Sequence, residues 1–163
     1  MLTFRVHDLT ETKLETEWIQ TIAKWYKQEW NIAHEKTIQQ LSDTSDTKNV
    51  VFQILAFENG ELIGTGGVYH EVGIHQHDPS YAQHKNWLAL VYTLPTHRRK
   101  GKGLRILGEI ESAAKSKNLE DLYLFTDTAI NLYKRANYKT VETIKVRDRQ
   151  LTIMKKCWMN QKG

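Results

Sequence analysis

Between Trp87 and Phe125 the chain reads "WLALVYT", "LPTHRRKGKG", "LRILGEIESAAKSKN" and "LYLF", with three residues before the last run. Two short apolar runs flank a segment of helical period, in which Ile106, Leu107, Ile110, Ala113 and Ala114 share one stripe that stops at Asn118. An apolar run without polar alternation suits a strand covered on both faces. Strand, helix and strand in succession require a right-handed crossover between parallel strands, so part of the sheet must be parallel and helix-covered.

The remaining segments surround this unit. "VVFQILAF", Asn59-Gly60 and "ELIGTGGVYHEV" form a hairpin, because Asn-Gly supplies the two left-handed residues of a tight turn. "YKTVETIKV", "RD" and "LTIMKKCWM" form a second hairpin, preceded by a short helix over "TAINLYKRAN". At the N-terminal end, "TKLETEWIQTIAKWYKQEWN" is an amphipathic helix with Leu14, Trp18, Ile22, Trp25 and Tyr26 on one face, and Thr12 with Glu15 forms a capping box. Core packing is the default role of that stripe, although Trp18, Trp25, Tyr26 and Trp30 could also wall a cleft. "EKTIQQLS" is a second short helix, and "GIHQHDPSYAQHKN" is a loop long enough to close the cleft's other side. The order predicts an α/β fold with a single mixed, mostly antiparallel sheet, a central parallel strand-helix-strand crossover and helices on both faces. The length, 163 residues, suits one domain over 1–163.

Composition excludes several classes. A net charge of +4, with 23 lysines and arginines against 19 acids, does not by itself demand nucleic acid. The single cysteine, Cys157, rules out an internal disulfide framework; it sits in a terminal apolar strand and reads as a buried structural thiol. No apolar run approaches the roughly 20 residues that span a bilayer, and the first residues lack an apolar leader. A soluble, cytoplasmic protein with no membrane partner is expected. His70, His75, His77 and His84 with Asp78 match no compact metal motif, so no metal is expected.

Arg98 to Arg105 packs five cations and two glycines into eight residues. A P-loop is excluded, because no lysine-hydroxyl pair follows the glycines. Gly101 and Gly103 lie between a strand end and a helix start, where the backbone can approach a ligand and the first N–H groups of the helix lack partners. That is an anion site fit for a pyrophosphate. Spacing alone leaves a solvated turn equally open.

"PTHRRKGKGLRIL" resembles the acetyl-CoA signature of the GNAT N-acetyltransferase family, R/Q-x-x-G-x-G/A between a strand and a helix, here Arg98, Gly101 and Gly103. "LYLFTDTAINLYKRANY" is similar to the family's second cofactor motif, with Ala129 and Tyr133 at the family offset. Asn137-Tyr138 takes the place of a glycine-aromatic pair, and Thr126 and Asp127 stand where a cofactor-contacting asparagine often sits. The resemblance spans Val50 to about Met159. It implies acetyl-CoA (coenzyme A) as acyl donor, bound by Tyr92, Thr93, Arg98, Arg99, Lys100, Gly101, Lys102, Gly103, Leu104, Thr126 and Tyr133. The pyrophosphate would rest on backbone N–H groups from Arg99 to Leu104, and donors on the Trp87 to Thr93 strand could polarise the thioester carbonyl. Tyr133 would protonate the departing thiolate. For the base, Glu71 and Asp78 stand ahead of His70, His75, His77 and Tyr92. The implied function is direct acetyl transfer to a primary amine. The alternatives are a non-catalytic acyl-CoA sensor and a nucleic-acid module using the basic stretch. Neither the acceptor nor the choice between monomer and homodimer is specified.

Overall fold

The computed structural model describes residues 1–8, 14–42 and 49–158. It begins with β1 (Leu2–His7), α1 (Thr16–Trp30) and α2 (His34–Ser42), followed by the hairpin β2 (Val50–Glu58) and β3 (Glu61–Tyr69). A one-turn helix α3 (Ile74–His77) and a 3-10 turn (Pro79–Gln83) lead to β4 (Trp87–Thr93). Then come α4 (Lys102–Ser116), β5 (Asp121–Thr126), α5 (Ile130–Arg135) and the closing hairpin β6 (Lys139–Val146) and β7 (Arg149–Cys157). The strands form one sheet in the order β1-β2-β3-β4-β5-β7-β6, antiparallel everywhere except between β4 and β5.

The sheet is covered on both faces, and β2 shows how. Phe52, Ile54 and Ala56 pack in the cluster that holds Ile106, Leu107, Ile110 and Ala114 of α4. Leu55 and Phe57 pack in the cluster of Ile19, Ile22, Trp25 and Tyr26 from α1 and Leu41 from α2. Alternation along an apolar strand thus serves two cores, which is why the run carries no polar period. The predicted α4 stripe is buried throughout, and Asn118 at φ 64° ends the helix in the left-handed conformation that asparagine tolerates. Asn59 and Gly60 adopt positive φ in the first hairpin turn as expected.

Several expectations are corrected. The strand β1 was not anticipated: "LTFRVH" is half exposed, and its pairing with β2 comes from a partner about 50 residues away. The segment read as a loop between Gly73 and Asn86 holds α3 and the 3-10 turn. Helix α1 starts at Thr16 with Glu15 as its cap, while Thr12 of the expected capping box lies outside the described residues. Ala89, Leu90 and Val91 of β4 are only partly buried rather than covered on both faces. Cys157 ends β7 and is exposed, not buried. Among the described residues no helix is long and apolar enough to cross a membrane.

Candidate active site

The parallel pair β4 and β5 shares one register position, Trp87 with Tyr123, and a neighbouring bond from the Tyr123 N–H to the Asn86 carbonyl at 2.9 Å. Beyond it the strands part, and a cavity of about 990 Å³ opens over the middle of β4. This explains the half-buried centre of that strand.

One wall is the turn into α4. Arg98 Nε donates to the Thr93 carbonyl at 2.7 Å, its guanidinium lies 5.1 Å above the Tyr92 ring, and its far end meets Glu29 at 3.1 Å. These contacts fasten the turn to the end of β4. Arg99 at φ 63° and Gly101 at φ 77° then swing the backbone into the helix. Gly101 caps α4 without a side-chain hydrogen bond, and the N–H of Arg105 is the first to reach back, to the Gly101 carbonyl at 3.3 Å. The N–H groups of Lys102, Gly103 and Leu104 therefore have no acceptor within the helix, and Gly101, Gly103 and Leu104 line the cavity. A Cβ at Gly101 would meet nothing within 4 Å, so the space over this backbone is open.

The two lysines of the stretch do not line the cavity. Lys100 is exposed, and Lys102 turns away to Glu58 at 2.7 Å and His97 Nδ1 at 2.8 Å. The Lys102 hydrogen bond holds the Glu58 carboxyl below its ordinary range.

The facing wall comes from α5. Thr126 Oγ1 accepts from the Ala129 N–H at 3.0 Å, fixing the approach to that helix. Tyr133 lines the cavity but is 8% exposed, and its ring stands edge-on to Tyr138 with centroids 5.9 Å apart. Burial lifts its phenol to about 12, so it is a neutral hydrogen donor at physiological pH. Asn137 takes φ 72° where the family motif has glycine, and the following Tyr138 N–H closes onto the Tyr133 carbonyl at 3.0 Å. Asparagine's tolerance of the left-handed region makes the departure structurally neutral.

At the other end, Glu71 lines the cavity, with its backbone clamped by Asn49: Oδ1 accepts from the Glu71 N–H at 2.6 Å and Nδ2 donates to its carbonyl at 3.1 Å. Asp78 is not among the lining residues. It caps the 3-10 turn, accepting from the Ser80 N–H at 3.0 Å and hydroxyl at 2.6 Å, and these bonds pull its carboxyl below the usual range. Of the four tryptophan and tyrosine candidates on α1, Tyr26 and Trp30 line the cavity; Trp25 is buried in a stack on Tyr92 at 4.9 Å, and Trp18 packs against Phe57. His75 reaches the lining, with Nε2 3.2 Å from the Tyr81 carbonyl. His70 Nδ1 bonds the Lys85 carbonyl and His84 stacks on Tyr123 at 3.8 Å. Among the described residues no three His, Cys, Asp or Glu side chains gather as metal ligands.

Tyr92, Thr93, Arg98, Arg99, Gly101, Gly103, Leu104, Thr126 and Tyr133 thus share one cavity with Glu71. The sequence reading missed Asn49, and it missed Arg135 and Arg149, cations brought to the lining by tertiary structure. Arg149 is partly neutralised by Asp127 at 2.6 Å. It also missed Gln53, although a lone amide inside "VVFQILAF" was a visible signal.

The model of the Acetyltransferase (GNAT) family matches residues 16–140. No curated protein matches the chain by sequence. Among solved structures, an aminoglycoside 6'-N-acetyltransferase complexed with coenzyme A superposes with a TM-score of 0.72 at 14% identity, over 95% of this chain and 96% of that one. Arabidopsis thaliana NAA60 in complex with a bisubstrate analogue gives 0.67 at 14%, over 96% and 98%. An acyl-CoA N-acyltransferase from Pseudomonas aeruginosa gives 0.67 at 16%, over 96% and 100%. At such identities the likeness speaks for the fold alone. With the family model covering most of its length, this chain belongs to the GNAT family of acetyltransferases.

Proposed function

We propose that the protein is an acetyl-CoA-dependent N-acetyltransferase that passes the acetyl group directly to a primary amine. The observation that carries this reading is the pairing, in one cavity, of an open helix N-terminus at Gly101 to Leu104 with a buried, neutral Tyr133. The residues present fit coenzyme A. Unpaired N–H groups and the α4 dipole suit a pyrophosphate, and Arg99 and Arg135 on the lining suit the remaining phosphate charge. The structures complexed with coenzyme A or with a bisubstrate analogue that share this fold support the same reading.

The chain's own groups would then divide two proton movements. The attacking ammonium must lose a proton before its lone pair can form the C–N bond, and Glu71, clamped by Asn49, is our candidate to take it, directly or through water. As the C–S bond breaks, the sulfur gains a proton from the Tyr133 hydroxyl. Asp78, occupied with Ser80 and away from the lining, ranks behind Glu71.

The test is free-thiol release from acetyl-CoA and longer acyl-CoAs across an amine panel, with a no-acceptor control. Thiol release that depends on an added amine, with the acetylated amine as product, is expected. Tight acyl-CoA binding without transfer to any amine would favour the sensing alternative.

A further inference from the structure

At the edge of the cavity a chain of buried polar side chains runs inward from its lining: Gln53 and Thr65 are fully buried, and Tyr26 and Tyr69, which touch the lining, nearly so. The Thr65 hydroxyl donates to the Ile54 carbonyl at 2.8 Å, so its oxygen is left to accept. Gln53 Nε2 donates to that oxygen at 2.8 Å and, with its second hydrogen, to the Tyr26 hydroxyl oxygen at 3.2 Å. The Tyr69 hydroxyl donates to Gln53 Oε1 at 3.3 Å, which holds the amide the same way round. Tyr26, already accepting, sends its own hydrogen to the Leu90 carbonyl at 2.9 Å. Each donated hydrogen in the chain has one acceptor, so the direction of every bond is determined from Ile54 to Leu90.

The end point is unusual backbone. Thr65 pairs with Tyr92 and Gly67 with Ala89, which leaves Leu90 and Val91 opposite Gly66 alone. This is a β-bulge, and Leu90 within it has φ 58°, a left-handed conformation that a leucine side chain disfavours and that needs support from its surroundings. Gly66 of β3 makes room for it, since a Cβ there would come 3.1 Å from Val91 Cγ2, while Gly67 makes room for the Gln53 amide, whose Oε1 would lie 2.5 Å from a Cβ.

We infer that Tyr26 is a positioning residue which, set by Gln53 behind it, holds the β4 bulge in the shape that the acyl donor's thioester carbonyl meets. This rests on the proposed function. Satisfying the Leu90 carbonyl inside the protein keeps its negative end from repelling charge that grows on the thioester oxygen, and it fixes the backbone donors beside it in advance. Tyr26 itself donates no proton to the reaction.

The experiment compares calorimetric affinities for acetyl-CoA and for CoA, with single-turnover acetyl transfer, in the wild type, Tyr26→Phe, Tyr69→Phe and Gln53→Met. Gln53 is not among the cavity-lining residues, so its effect must pass through the two lining tyrosines bonded to it, Tyr26 and Tyr69, and only Tyr26 reaches the Leu90 carbonyl; Tyr69→Phe, expected to leave the acetyl-CoA to CoA ratio unchanged, separates the two. Tyr26→Phe is expected to leave CoA affinity unchanged, to reduce the preference for acetyl-CoA over CoA about fivefold, the worth of one hydrogen bond, and to slow transfer about tenfold. Gln53→Met should shift both readouts the same way by less, and it decides the question should Tyr26→Phe fail to fold. An unchanged acetyl-CoA to CoA ratio in those two variants, or an equal loss of affinity for both ligands, would overturn the role. The ratio needs no acceptor, so it still judges Tyr26 if the wild type transfers to no amine and the proposed function falls.

Discussion

At the scale of single residues, Tyr133 makes the sharpest commitment. Its hydroxyl is the protonated group on the lining beside α5, and desolvation raises it from 10 to about 12. Tyr133→Phe should lower kcat about a hundredfold while CoA affinity stays within about twofold, as steady-state kinetics and calorimetry would report. Unchanged kcat would remove it from the mechanism. The pH dependence follows from the same shift. A raised folded pKa means the phenol stays protonated well past pH 10, so kcat measured from initial rates should show no falling alkaline limb until pH approaches 12. The stability this group adds is complete below pH 10 and is lost as pH rises through about 12. A limb centred near pH 10 would point to another acid. Other residues show what spacing cannot reveal. Glu71 and Asp78 are seven positions apart and chemically alike, yet one is clamped by Asn49 at the cavity and the other is spent on a turn.

At the scale of elements, the turn between β4 and α4 would, on the proposed function, bind the donor's phosphates through backbone rather than charge. Arg98 is occupied with Thr93, Tyr92 and Glu29, and Lys102 with Glu58. Gly101→Val leaves every charge in place and puts side-chain carbons into the open space above the helix N-terminus. It also loads φ 77° with a β-branched residue, at a cost of about 1–2 kcal/mol. Calorimetry should show CoA affinity down at least tenfold with the fold retained by circular dichroism. If CoA affinity held, and DNA or RNA bound with a steep salt dependence that the variant left intact, the basic stretch would be a nucleic-acid surface instead. The strand-loop-helix order of this element was readable in the sequence, because apolar run, glycine and amphipathic stripe are all local signals. The departure of both lysines was not readable, because their partners lie on other elements or in solvent.

At the scale of the whole molecule, the candidate cavity depends on two strands that pair once and then separate. Trp87 is the hinge of that arrangement: fully buried, it donates from Nε1 to the His84 carbonyl at 2.7 Å and packs against Tyr123, Tyr81 and His75. Trp87→Ala should cost about 3–5 kcal/mol and lower Tm by roughly 10–15 °C, with CoA binding weakened in step. A shift of only a degree or two would mean the cleft is braced elsewhere. By itself the sequence determined the parallel crossover, the two hairpins, the α4 stripe and the glycine turn, since each depends on neighbours within a few residues. Tertiary structure alone decided that β1 is a strand, that β4 and β5 splay, that Trp25 is core while Trp30 faces the cleft, and that Gln53 is wired through Tyr26 to Leu90. Those outcomes depend on contacts between distant segments, and the burial and hydrogen bonding that define them exist only once the chain has folded.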